Sequence, residues 1–127
     1  MHKVKILIID DEENFCKLVK MNLELDKDFI VEIAIDGKKG IDLAKKFKPD
    51  AIILDIMMPK MSGFEVLGKL KKDSKTIAIP VIMLSAKEDI DFQFKAAQLY
   101  DELYLVKPID APTLKGKIEE VLRRRGN

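Results

Sequence analysis

The stretch AIILDIMMP, residues 51–59, decides the fold, because an apolar run ends there in a single acid before a loop. The run Ala51–Leu54 is too short for a helix, and its continuous apolarity is typical of a strand buried on both faces. Such strands occur mainly in parallel sheets that helices cover on both sides. Asp55 is therefore expected at the carboxyl end of a central strand.

Further apolar runs lie on either side of this strand, and longer amphipathic stretches alternate with them. The runs predict strands over Val4–Ile9, Phe29–Ile35, Pro80–Leu84 and Leu103–Val106. Helices are predicted over Glu12–Leu25, Ala86–Leu99 and Ala111–Arg125. Another is predicted after Asp36-Gly37, with Ile41, Leu43, Ala44 and Phe47 as its apolar residues and Pro49 as its end, and one more begins at Gly63. The expected apolar set of the first helix is Phe15, Cys16, Leu18, Val19, Met21, Leu23 and Leu25. This alternation predicts an α/β fold, a doubly wound parallel sheet covered on both faces.

Composition narrows the class of protein. The chain has 127 residues, 47% of them hydrophobic and 35% charged, which is typical of one globular domain. The net charge of +1 gives no argument for direct binding of nucleic acid or of an anionic membrane. A single Cys16 excludes a disulfide framework, no apolar run could span a bilayer, and no signal peptide precedes Val4. We therefore expect a cytoplasmic protein.

Polar residues follow each apolar strand, at the edge of the sheet where ligands of doubly wound folds bind. They are Asp10-Asp11, Asp36, Asp55, Ser85 and Lys107. Taken singly, most have an ordinary explanation: Asp10, Asp11 or Ser85 as a helix cap, Asp36 with Gly37 as a turn, Lys107 as a solvated lysine. Only Asp55 lacks one, because no helix begins directly after it. The convergence of several carboxylates nevertheless favours a bound cation.

The chemistry of this set points to phosphoryl transfer assisted by a metal. Oxygen ligands without His or Cys suit Mg²⁺. The first loop is acidic rather than Gly-rich, which argues against a mononucleotide site. We expect Asp55 to be the nucleophile, with Mg²⁺ held by Asp11, Asp55 and the backbone carbonyl of Met57, and by Asp10 through water. Lys107 and the Ser85 hydroxyl would bind the remaining phosphoryl oxygens.

Four motifs carry a resemblance to a known family over most of the chain. They are ILIIDDEE (Ile6–Glu13), LDIMMPKMSG (Leu54–Gly63), PVIMLSA (Pro80–Ala86) and YLVKPI (Tyr104–Ile109). The chain resembles the receiver domain of two-component response regulators. The resemblance implies a single receiver domain over residues 1–127, with a core of about 4–124. It also implies a flavodoxin-like (βα)5 fold with strand order 2-1-3-4-5.

The resemblance further implies a role for each site residue. Asp55 is the phosphoacceptor, Asp10 and Asp11 bind Mg²⁺, Lys107 is the active-site lysine, and Ser85 and Tyr104 are the switch residues. A cis bond is expected between Lys107 and Pro108. The implied phosphodonor is a sensor histidine kinase or a phosphotransfer protein, and the implied output is a downstream protein. Phosphorylation would change the surface around the fourth helix, the fifth strand and the fifth helix.

One stretch departs from the family pattern, and two other functions stay open. Receivers commonly carry a small Gly-Ala pair before strand five, whereas this chain has Leu99-Tyr100-Asp101-Glu102. Either Tyr100 is strained there or the loop takes another path. The chain could be a degenerate receiver that serves only as an interaction module. It could also be an aspartate-nucleophile phosphohydrolase, although Met57 occupies the position of that class's acid/base.

Overall fold

The structure, a computed structural model, describes residues 2–86 and 103–126. The strands are β1 (Val4–Ile9), β2 (Phe29–Ala34), β3 (Ala51–Asp55), β4 (Val81–Ser85) and β5 (Leu103–Val106). The helices are α1 (Glu13–Leu23), α2 (Gly37–Phe47), α3 (Gly63–Lys71) and α4 (Ala111–Gly126). Apart from Ala86, the helix predicted over Ala86–Leu99 lies outside the described residues, and so does the stretch Leu99–Glu102.

All strand pairs are parallel, and the order is β2-β1-β3-β4-β5. This confirms the predicted flavodoxin-like order. Helices α1 and α4 pack on one face of the sheet, while α2 and α3 pack on the other. Among the described residues, no helix is both long enough and apolar enough to cross a membrane.

The buried segments of the central strands, Ile6–Ile9 in β1 and Ala51–Leu54 in β3, are wholly apolar because both of their faces are covered. In β1, Ile6 and Ile8 pack with α1 and α4, whereas Leu7 and Ile9 pack with α2 and α3. All four side chains have no exposed surface. Strand β3 repeats this alternation, so the acid that ends it is held by a rigid, fully packed segment.

The structure corrects the predicted apolar set of the first helix. Cys16, Val19 and Leu23 are buried against the sheet, as predicted. Leu18 and Met21 are instead 55% and 61% exposed. Residues two positions apart on a helix are rotated by about 200°, so Leu18 and Met21 point away from the face that carries Cys16 and Val19. Leu25, 78% exposed, lies beyond the last residue of the helix.

Several element ends also differ from their predicted positions. Strands β3 and β4 each include the polar residue that was predicted to follow them, Asp55 and Ser85. Their backbones are therefore fixed by the sheet. Asp36, predicted as a turn residue, caps α2 by accepting a hydrogen bond of 2.8 Å from the backbone N–H of Lys39.

Gly63 allows the chain to fold back directly beneath Asp55. Its N–H donates to the carbonyl of Ile56 at 2.7 Å. A Cβ atom at this position would stand 2.2 Å from the backbone oxygen of Asp55 and 2.8 Å from the Cα of Ile56. Both atoms belong to the backbone and cannot rotate away. A glycine is therefore required for α3 to begin against the end of β3.

We predict that Gly63→Ala destabilises the fold by more than about 2 kcal/mol, because the added methyl group must displace the backbone at Asp55. The matched control is Gly116→Ala in α4, where an added Cβ meets no atom of the described residues within 4 Å. That variant should gain about 0.5–1 kcal/mol from helix propensity. Urea unfolding of both variants measures the difference. Equal stability of the two variants would contradict this account of Gly63.

Candidate functional site

The carboxyl ends of the parallel strands bring the predicted polar residues to one edge of the sheet. Backbone hydrogen bonds continue the sheet into these residues: the N–H of Asp10 donates to Ala34, and that of Ile56 to Leu84, at 3.0 and 2.9 Å. The N–H of Lys107 donates to the carbonyl of Ser85 at 2.7 Å. The site is thus built on strand ends rather than on independent loops.

Three carboxylates form an acidic cluster, which we define as Asp10, Asp11 and Asp55. One oxygen from each residue lies within 4.8 Å of the others. Asp10 is fully buried and Asp55 is 5% exposed, whereas Asp11 is open to solvent. The cluster is therefore closed on the side of the sheet and accessible from the side of Asp11.

The ammonium group of Lys107 lies beside the acidic cluster. Its Nζ donates hydrogen bonds of 2.8 Å to Asp10 Oδ2 and to Glu12 Oε1. It is 3.6 Å from Asp55 Oδ1, which is beyond a good hydrogen bond. The same group lies 4.7 Å from the centre of the Phe15 ring. Lys107 is thus held mainly by the β1–α1 side of the site.

The electrostatics of the cluster follow from burial and from like charge. Burial and the negative charge of Asp10 raise the pKa of Asp55 from 3.8 to about 7, although Lys107 opposes this shift. Burial also raises the pKa of Asp10 against the opposing hydrogen bond from Lys107. The pKa of Lys107 is lowered by its own burial, but the hydrogen bonds to Asp10 and Glu12 outweigh that effect and raise it. One ammonium is therefore not enough to keep Asp55 fully ionised at neutral pH.

The acidic cluster fits a hard divalent cation such as Mg²⁺. All of its donors are carboxylate oxygens, which this ion prefers. Exposure of Asp11 leaves room for the water molecules that Mg²⁺ retains. Because the pKa values of Asp10 and Asp55 are raised, an additional positive charge would favour the ionised forms of both carboxyl groups.

The other predicted residues lie near this cluster in different environments. Ser85 is buried at the end of β4, one residue beyond Leu84, which pairs with Asp55. Tyr104, half-buried in β5, packs against the apolar cluster on the side of α2 and α3. Met57 follows Asp55 by two residues and its side chain is 51% exposed. The predicted cis bond between Lys107 and Pro108 is confirmed.

Sequence reasoning did not single out two residues that contact the lysine, Glu12 and Phe15. In the sequence, Glu12 stands out only as part of an acidic loop and Phe15 only as an apolar residue of the first helix. Their contacts depend on the path of Lys107, which comes from the other end of the chain. A pattern of spacing in the first loop could not have found such long-range partners.

Cys16 is fully buried, as expected of a core residue, and its Sγ donates to the backbone carbonyl of Asp10 at 3.3 Å. Burial and the neighbouring acids raise the pKa of its thiol to about 12. The thiol therefore stays neutral and supports the backbone at the start of the site.

Comparison with known proteins identifies the family. A family model described as the response regulator receiver domain matches residues 6–119. The DNA-binding dual master transcriptional regulator RpaA of Synechocystis sp. is 40% identical over 120 residues, covering 94% of this chain and 49% of the relative. PhoP of Bacillus subtilis, an alkaline phosphatase synthesis transcriptional regulatory protein, is 34% identical with the same coverage of 94% and 49%. The chain spans about half the length of these curated relatives.

Solved structures agree with this match. The chemotaxis protein CheY4 of Vibrio cholerae superposes with a TM-score of 0.84 at 29% identity, covering 94% of this chain and 98% of that one. A response regulator receiver domain protein from Clostridium thermocellum gives a TM-score of 0.85 at 32% identity, with 95% of each chain covered. The chain therefore belongs to the response regulator receiver domain family of two-component systems.

Proposed function

We propose that this receiver is an active phosphoacceptor switch, in which Asp55 takes a phosphoryl group from a histidine kinase or a phosphotransfer protein. The observation that carries the proposal is the placement of Asp55. Its carboxylate ends a fully packed strand, lies within 4.8 Å of two further carboxylates, and has an ammonium group 3.6 Å away. A purely structural acid at a strand end would not need this costly grouping of charge.

In this proposal Asp11, Asp55 and the backbone carbonyl of Met57 would hold Mg²⁺, and Asp10 would contribute through water. Both oxygens of Asp10 already accept hydrogen bonds, one from the Glu12 N–H at 2.9 Å and one from Lys107 at 2.8 Å. An indirect contact suits a carboxylate whose oxygens are both in use. When bound, Mg²⁺ would neutralise charge on the transferring phosphoryl group.

The transfer itself needs little from the protein beyond position and charge. A carboxylate oxygen of Asp55 attacks the phosphorus, the new P–O bond forms, and the P–N bond to the imidazole of the donor breaks. The imidazole leaves with the electron pair of that bond. Lys107 and the Ser85 hydroxyl then bind oxygens of the acyl phosphate. The same chemistry with a small phosphodonor would give autophosphorylation, and attack by water would give autodephosphorylation.

Phosphorylation of Asp55 would change the positions of Ser85 and then of Tyr104. Strands β4 and β5 are adjacent, with Met83 paired to Tyr104 and Ser85 paired to Val106. Movement of the Ser85 hydroxyl toward the phosphoryl group would let the Tyr104 ring move further inward. The surface that changes includes β5 and α4, together with the helix predicted over Ala86–Leu99.

We further propose that residues 1–127 act as one receiver domain in the cytoplasm. The output would be contact with a downstream protein, without direct binding of nucleic acid or membrane by this domain. The names of several relatives describe transcriptional regulators. Such a regulator, a hybrid kinase or a stand-alone receiver would all use the same Asp55 chemistry.

We predict that incubation with acetyl phosphate and Mg²⁺ adds one phosphoryl group, because the acidic cluster and Lys107 already supply the required groups. Intact mass spectrometry measures the adduct. Asp55→Asn should abolish it. Asp36→Asn should retain it. This substitution removes the same charge at the same edge of the sheet, but Asp36 only caps α2.

The other candidate functions give different results in this experiment. Turnover of acetyl phosphate without an adduct would indicate a phosphohydrolase. Absence of both turnover and adduct would indicate an interaction module and would contradict the proposal.

We predict that metal-free protein loses stability as the pH rises from about 5 to 7. The folded-state pKa of Asp55, about 7, is above its unfolded value of 3.8, so the folded state binds more protons across this range. The loss should total about 2–3 kcal/mol. Acids with lowered pKa values, such as Asp73 and Asp110, are ionised in both states above about pH 5 and add little to the slope.

Chemical denaturation at several pH values measures this slope. Asp55→Asn should remove most of it, and millimolar Mg²⁺ should flatten it in the unmodified protein. An unchanged slope in Asp55→Asn would contradict the assignment.

A further inference from the structure

Lys107 contacts the start of α1 at the same distance as it contacts the acidic cluster. Its Nζ donates to Glu12 Oε1 and to Asp10 Oδ2 at the same distance, 2.8 Å. The Phe15 ring lies 4.7 Å away on the same side. The nearest Asp55 oxygen is further off, at 3.6 Å. The ammonium group therefore stands toward Glu12 rather than directly on the proposed phosphoacceptor.

Glu12 occupies the N-cap position of α1 but does not use its side chain there. Its backbone N–H donates to Asp10 Oδ1 at 2.9 Å, and its carbonyl accepts from the Cys16 N–H at 3.1 Å. Within the described residues, its side chain makes no capping hydrogen bond. N-cap side chains usually accept from the first turn of the helix. The carboxylate of Glu12 points instead to Lys107.

We propose that Glu12 is a positioning residue that holds Lys107 back from Asp55 until a phosphoryl group is present. This inference rests on the proposed phosphoacceptor role of Asp55. On phosphorylation the ammonium group exchanges its hydrogen bond to Glu12 for one to a phosphoryl oxygen, while the bond to Asp10 remains. No covalent bond changes in this step.

Of the two partners of Lys107, Glu12 is the one that can be released at low cost. The Glu12 side chain is 64% exposed, so water replaces the lost hydrogen bond. Asp10 has no exposed side-chain surface, and loss of its partner would leave a buried charge uncompensated. Exchange of the Glu12 hydrogen bond for one to a phosphoryl oxygen therefore breaks the weaker of the two contacts of Lys107.

Three variants separate contact from charge. Glu12→Asp keeps the charge, but the shorter side chain favours capping α1 over reaching Lys107. Glu12→Gln keeps the length and removes the charge. Glu13→Gln is the control: it removes the same charge from the next residue, whose side chain pairs with Lys17 at 3.6 Å.

The first readouts follow acyl-phosphate formation from acetyl phosphate with Mg²⁺, and beryllofluoride affinity by ¹⁹F NMR. Glu12→Asp and Glu12→Gln should both increase the rate constant and the affinity about two- to fivefold, the range of an exposed ion pair. Glu13→Gln should change neither. An increase in Glu12→Gln alone would show an effect of charge only and would overturn the inference. Unchanged or lower values in Glu12→Asp would overturn it as well.

A further readout does not depend on phosphorylation. In metal-free protein, NMR of the lysine ammonium groups measures proton exchange at Lys107. Exchange should be slow in the unmodified protein and faster in Glu12→Asp. Equal exchange would show that Glu12 does not hold the lysine. Failure of the unmodified protein to form an adduct, despite slow exchange at Lys107, would contradict the proposed function rather than this contact.

Discussion

The mutual repulsion of three carboxylates at one edge of the sheet is the constraint on which the rest of the site depends. Asp10, Asp11 and Asp55 have oxygens within 4.8 Å of one another, and two of these acids are almost fully buried. In water such charges would separate. Here the packed strands β1 and β3 keep them together, because moving either acid would disturb the apolar side chains that precede it.

The aliphatic strands and the polar edge therefore form one arrangement. Side chains such as Ile53 and Leu54 pack into opposite faces of the sheet and leave Asp55 a single position. Gly63 closes the backbone beneath it at a distance that excludes any side chain. The fold thus holds a group of like charges together, and either protonation or a bound cation would relieve their repulsion. Under the proposed function, a phosphoryl group bound at Asp55 would change the arrangement of β4 and β5.

Much of this arrangement is predictable from sequence, for identifiable reasons. The runs Val4–Ile9 and Ala51–Leu54 could be recognised because strands buried on both faces are almost continuously apolar. The convergence of Asp10, Asp55 and Lys107 then follows from the geometry of parallel strands. The exposure of Leu18 and Met21 was not predictable in this way, because a helix with apolar residues on two sides does not reveal which side meets the sheet. The contact between Glu12 and Lys107 joins residues 95 positions apart and depends on the exact path of a side chain.

Asp55 is expected to stay partly protonated until a divalent cation binds, because burial and the charge of Asp10 raise its pKa to about 7. Titration calorimetry of Mg²⁺ into the metal-free protein at about pH 6.5, in two buffers of different ionisation enthalpy, counts the protons released. Because the pKa of Asp55 is about 7, Mg²⁺ binding should release more than about half a proton per site. Binding without proton release, or no binding at millimolar Mg²⁺, would contradict the account.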